Sequence, residues 1–172
     1  MAGLLLAALL AAPPIALPHH AFRLDNGLQV LVHVDARLPL VAVDLSYRVG
    51  SADEPPGRTG FAHLFEHLMF MGTARAPRGA FDAWMEAEGA WNNAWTSEDR
   101  TDYYAVGPAH TLPLLLWLEA DRMANLGGEV EQAELDLQRA VVKNEMRQNV
   151  LDQPGSSGWL GAWTGLFPRQ HP

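Results

Sequence analysis

The segment His63-Leu64-Phe65-Glu66-His67 constrains this chain more than any other five residues. With residues 59–71 helical, His63 and His67 lie about one turn apart on one face, their Cβ atoms roughly 5–6 Å apart. Two neutral imidazole nitrogens at that spacing reach a single Zn²⁺ at about 2.0–2.1 Å. Glu66 stands about 100° round the helix from His67. It borders the histidine stripe and can reach a water at the metal without serving as a ligand. The first demand on the fold is therefore a helix here, and zinc bound to it would need a further ligand from elsewhere in the chain.

Composition narrows what that ligand can be. The 172 residues contain no cysteine, which excludes disulfides and thiolate ligands and leaves His, Asp or Glu to hold a metal. An apolar fraction of 48% with 19% charged residues describes a chain that can bury a core. The formal charge of −8 and the lack of a basic stripe argue against nucleic acid as a partner. Residues 1–18 form a block of Leu and Ala followed by prolines, too short for a membrane span and suited to a signal-peptide core. No Lys or Arg precedes Arg23, so the usual basic start is missing. The favoured reading is export, to a periplasm or beyond, with a domain over 19–172. A mis-assigned start or a disordered apolar leader is the alternative.

Further along, Ala21–Leu24 and Leu28–Val34 flank Asp25-Asn26-Gly27, a hairpin signal. Val41 to Val49 alternates as a strand with one buried face. Gly50–Gly60 reads as a loop, Thr59 as a cap for the histidine helix and Gly72-Thr73 as its end. A short helix over 79–88 stops at Gly89. Two strands, Trp91–Thr96 and Thr101–Val106, are joined by the turn Ser97–Arg100. Pro113 suits the first turn of a helix to about Asn125, with Leu114, Leu115, Leu118 and Met123 as its apolar face. A longer helix is expected over Val130–Val150, and a last one over Trp159–Leu166. Strands, helices, strands and helices in that order give an α+β fold, an antiparallel sheet packed by helices.

His-x-x-Glu-His reverses the commoner zinc-protease order and is the signature of inverted zincins. Several further blocks stand around it in order: Asn26-Gly27-Leu28, Val49-Gly50-Ser51 with Asp53-Glu54 and Gly60, Met69-Phe70-Met71-Gly72-Thr73, Asn93-Ala94-Trp95-Thr96, Thr101-Asp102-Tyr103-Tyr104, Asp121-Arg122-Met123 and Val141-Val142-Lys143-Asn144-Glu145. From about Leu24 to His171 the chain resembles the pitrilysin/insulysin metallopeptidases, the family that includes the mitochondrial processing peptidase.

That resemblance implies a zinc metalloendopeptidase acting on extended or unfolded peptides. His63, His67 and Glu145, 78 residues past His67, would be the zinc ligands and Glu66 the general base. Asn93 and Ala94 match the strand that pairs with substrate by strand addition. Gln138 stands where the family commonly has a glutamate supporting the ligands, seven residues before Glu145, and Gly89-Ala90 replaces a frequent Gly-Gly. Full members are more than twice this long and add a second half that closes over the site and contributes an Arg and a Tyr to hold substrate. The present residues correspond to the N-terminal part of the first domain, so a second half or homologous subunit is an expected partner. Loss of a comparable stabiliser costs about 2.7–4 kcal/mol in the barrier.

The rival functions are a non-catalytic scaffold or partner subunit of the same family, and a domain whose zinc is structural. The latter usually needs four protein ligands, where three are identified. His19, His20, His33, His110 and His171 read as ordinary surface or core histidines. The six tryptophans are expected to fill the core or bury helix faces, except that Trp159 and Trp163 are expected to leave an exposed apolar patch.

Overall fold

The computed structural model describes residues 17–126 and 130–167. His171 and all but the last two residues of the expected leader lie outside the described residues. The chain divides into two compact units, Met1–Pro39 and Leu40–Pro172.

In the first unit, strands β1 (His20–Arg23) and β2 (Gln29–Val32) pair antiparallel, with Phe22 opposite Val30. Gly27 takes φ +92°, the left-handed conformation that closes the turn, and Leu28 N–H donates to Asn26 Oδ1 at 3.1 Å. This is the hairpin that Asp25-Asn26-Gly27 predicts.

The second unit is built on a three-stranded antiparallel sheet in the order β3 (Leu40–Tyr47), β5 (Thr101–Pro108), β4 (Trp91–Thr96). Its helices are α1 (Phe61–Leu68), α2 (Ala80–Ala87), α3 (Leu112–Asn125), α4 (Gln132–Met146) and α5 (Ser156–Gly165). A π-helical turn over Arg147–Leu151 carries α4 to one residue past the expected end at Val150. Phe81 and Met85 from α2, Leu115 and Leu118 from α3 and Ala105 from β5 form the core, with Val41 and Val43 of β3 packed against it. An antiparallel sheet with helices packed on it is the α+β architecture that the order of elements predicts.

Three expectations need correction. Thr59 does not cap α1. The N-cap is Gly60 at φ +89°, and Glu54 supplies the acceptor from outside the helix, its Oε2 to Gly60 N–H at 2.8 Å and its Oε1 to Ala62 N–H at 2.7 Å. Met123 is 41% exposed, because the buried stripe of α3 runs Leu115, Leu118, Glu119, Arg122, Leu126. Two charged residues in that helical spacing hide it from a purely apolar reading. Trp84, Trp91 and Trp95 are exposed, leaving Trp117 as the tryptophan that packs on the core; Trp159 and Trp163 are exposed as expected and stack on each other.

Two of the buried charges, Arg122 and Glu119, pair with each other. Arg122 Nε donates to Glu119 Oε2 at 2.8 Å and Nη2 donates to Oε1. The guanidinium carbon lies 4.4 Å from the ring centre of Tyr103, 4.7 Å from Phe81 and 5.3 Å from Phe70. Nη1 has no hydrogen-bond partner among the described residues, and ring faces meet the charge in its place. Next to it, Asp121 Oδ2 accepts from Thr73 Oγ1 at 2.5 Å, while Thr73 Oγ1 accepts from the N–H groups of Arg75 and Ala76. This fixes the loop after α1, in which Gly72 at φ +90° has no room for a Cβ: one would lie 2.6 Å from Arg78 N.

Burial raises the Glu119 carboxyl above its ordinary range in spite of the Arg122 charge beside it. Its ionised form is therefore less favourable in the folded chain than in the unfolded one, and this group adds stability as pH falls through its raised value. Arg122→Met should cost about 3–5 kcal/mol in urea unfolding at neutral pH by stranding the carboxylate. Part of that loss should return on acidification, and the pair replacement Glu119→Leu with Arg122→Met should recover most of it.

A candidate metal centre between two helices

Helix α1 carries His63 in its first turn and His67 in its last, and α4 carries Glu145 near its C-terminal end. The two helices bring one donor atom from each residue together. His63 Nε2 and His67 Nε2 are 3.2 Å apart, and Glu145 Oε2 is 3.3 Å from His67 Nε2 and 3.5 Å from His63 Nε2. A tetrahedron with metal–ligand bonds of about 2.0–2.1 Å has edges of about 3.3–3.4 Å. The three separations are thus one face of such a tetrahedron, and all three residues are partly buried. Among the described residues this is the one group of three or more His, Asp or Glu side chains placed to hold a metal. Two neutral imidazoles and one carboxylate suit zinc and leave a fourth direction open.

The other ring nitrogen of His67 is engaged from behind. His67 Nδ1 lies 3.3 Å from Gln138 Oε1, about two turns before Glu145 on α4. Gln138 Nε2 donates to Met71 Sδ at 3.1 Å. With the amide nitrogen committed to sulfur, the amide oxygen faces the imidazole and accepts from Nδ1–H, which leaves Nε2 with its lone pair toward Glu145 and His63. Gln138 is 6% exposed.

Glu66 points to the sheet. Its Oε2 accepts from Thr96 Oγ1, the last residue of β4. Thr101 Oγ1, 3.4 Å from Thr96 Oγ1, donates its own proton to Val49 O at 3.0 Å, so the Thr96 proton goes to the carboxylate. A cleft of about 460 Å³ runs along this edge, lined by Glu54, His63, Glu66, Ala94, Trp95 and Thr96 among others. β4 is an edge strand. Ala94 lines the cleft. Asn93 lies on the more exposed face of β4 with Trp91 and Trp95, and its Oδ1 accepts from Ala94 N–H at 2.9 Å. Burial pushes the Tyr103 phenol far above its ordinary range, with Glu66 adding to the shift, so this ring is a neutral neighbour of the site.

Sequence reasoning thus names residues that the fold gathers at one place: His63, Glu66, His67, Gln138 and Glu145. It misses the tasks of Met71, Thr96 and Glu54. Thr96 has a readable signal, since strand alternation puts it on the same face as Ala94, toward α1. Met71 has none, because a thioether as amide acceptor leaves no pattern in a sequence.

Comparison with known proteins agrees with this geometry. The profile of the family described as Insulinase (Peptidase family M16) matches residues 29–155. The zinc protease PqqE of Helicobacter pylori is 35% identical over 137 residues, 79% of this chain and 30% of that protein. The bovine mitochondrial-processing peptidase subunit beta is 34% identical over 125 residues, and human cytochrome b-c1 complex subunit 1 is 32% identical over 126, each covering 73% of this chain. The chain spans only about a quarter to a third of the length of these relatives. The crystal structure of a protease from Helicobacter pylori superposes with a TM-score of 0.76 at 33% identity, covering 81% of this chain and 33% of that one. The crystal structure of pitrilysin gives 0.66 at 28% identity, covering 77% and 14%. With a matched sequence profile, these superpositions and a His-His-Glu group in place, the chain belongs to the insulinase family, peptidase family M16.

Proposed function

We propose that this chain is the metal-bearing part of a zinc-dependent endopeptidase that cleaves extended or unfolded peptides. The observation that carries the reading is the trio of donor separations, 3.2, 3.3 and 3.5 Å, among His63, His67 and Glu145. When bound there, zinc supplies Lewis acidity, acidifying water and polarising a carbonyl oxygen.

The chain's own residues do the rest. Gln138 holds the His67 ring in the tautomer that presents Nε2 to the metal. Thr96 holds Oε2 of Glu66, leaving Oε1 to take the proton from the water that attacks the peptide carbonyl. The open edge of β4, with Asn93 and Ala94, takes up an extended substrate backbone by strand addition. A second peptidase half, or a homologous subunit, completes the enclosure and supplies groups for the tetrahedral intermediate. Two of the relatives carry "subunit" in their names, which supports such a partner. Export is part of the same proposal, supported by the leader-like residues 1–18; no described helix is long and apolar enough to cross a membrane.

A second reading has one observation in its favour: a relative 32% identical is named as a subunit of the cytochrome b-c1 complex, not as a protease. A non-catalytic subunit has no need of a proton acceptor in this cleft, and a Glu66 carboxylate that lines it with His63 and is held by Thr96 supports the catalytic reading.

Zinc titration calorimetry should give one site per chain, weakened roughly 100-fold or more by His63→Ala or Glu145→Ala, since even supporting residues behind a metal are worth 10–100-fold. Glu66→Gln should keep the zinc and lower kcat in a quenched-peptide assay by about 10²–10⁴-fold, run with the partner half present. Unchanged turnover in that variant would assign the proton transfer elsewhere. Gln138→Ala should weaken zinc binding about 10–100-fold, and Gln138→Glu should tighten it by adding negative charge behind His67.

A further inference from the structure

The two histidines are held in different ways. His67 has Gln138 behind its ring, while among the described residues the His63 ring has no hydrogen bond outside the ligand group. The placement of His63 therefore rests on its backbone, in the first turn of an eight-residue helix whose N-cap is a glycine with no side chain to offer. Helices this short are marginal alone, and their first N–H groups need outside acceptors. Glu54 is that acceptor, taking Gly60 N–H and Ala62 N–H on separate oxygens. Phe61 N–H, between them, goes to Arg58 O at 3.3 Å.

Glu54 is itself fixed from the sheet. Ser51 N–H and Ala52 N–H donate to the carbonyls of Ser97 and Glu98 in the β4–β5 turn, at 3.0 and 2.7 Å. Gly50 lies so close to that turn that a Cβ would come within 2.4 Å of Ser97 O. Asp53 Oδ2 accepts from Gly50 N–H at 3.0 Å and closes the short turn that delivers Glu54. A continuous strap runs from the edge of the sheet to the residue before His63, and its last link is a carboxylate lining the same cleft as His63 and Glu66.

We propose that Glu54 is a positioning residue for the metal site, holding the first turn of α1 so that His63 Nε2 meets the other two donors. The inference rests on the zinc reading above. The test is zinc affinity of the full chain, with apo helicity and melting temperature measured in parallel. Glu54→Ala should weaken zinc binding about 10-fold or more while the apo chain stays folded, and Glu54→Gln, which keeps one acceptor, should fall between it and wild type. Asp82→Ala, which removes an acid from the first turn of α2 and its hydrogen bond to Asn92 of β4 but touches none of the three donor residues, controls for stability alone and should leave zinc affinity unchanged. If Glu54→Ala does not fold, Glu54→Gln carries the comparison. Wild-type affinity in the folded Glu54 variants, or an equal loss in Asp82→Ala, overturns the positioning role alone. A wild-type chain that binds no zinc overturns both this role and the zinc reading.

Discussion

The guanidinium of Arg122 joins four segments that carry or border the candidate site. It is paired with Glu119 on its own helix and enclosed by Phe70 from the loop after α1, Phe81 from α2 and Tyr103 from β5. A cation this deep is tolerated only while its carboxylate and its rings are all present, since an unpaired buried charge costs several kcal/mol. The arrangement is therefore all-or-none. Beside it Asp121 pins Thr73, which sets where the chain leaves α1. One end of the histidine helix is thus fixed by α3, and the other by the strap ending in Glu54.

Between those anchors, α1 has little freedom in where it presents its histidines. Glu145 arrives from α4, where Gln138 binds back to His67 and to Met71 just beyond α1. The side-chain contacts between the two helices include His67 with Gln138 and both histidines with Glu145. Zinc bound at this group would couple to the packing of α4 on α1, so added zinc should raise folding stability.

Much of this was legible in the sequence, and what was not has physical reasons. The i, i+4 histidines, the Asp25-Asn26-Gly27 turn and the strand alternation of residues 41–47 are local patterns that need no tertiary knowledge. The roles of Gln138 and Glu145 follow only from resemblance to a family, because a spacing of 78 residues between His67 and Glu145 means nothing without a fold. Thr59 looked like the helix cap because sequence cannot show a carboxylate arriving from six residues before the N-cap glycine. Charged residues in the buried stripe of α3 hid its true face and made Met123 look buried. The exposed Trp84 on α2 and Trp91 and Trp95 on β4 show the limit of assuming that large apolar side chains point inward.

The central claim is that His63, His67 and Glu145 together hold one zinc ion. X-ray absorption at the zinc edge of the loaded chain tests it most directly. The predicted spectrum has nitrogen and oxygen neighbours at about 2.0–2.2 Å, the outer-shell scattering of two imidazole rings and no sulfur, and the Glu145→Ala chain loses its zinc on dialysis. Zinc lost on dialysis of the wild-type chain, or the same spectrum in the Glu145→Ala variant, would contradict the account.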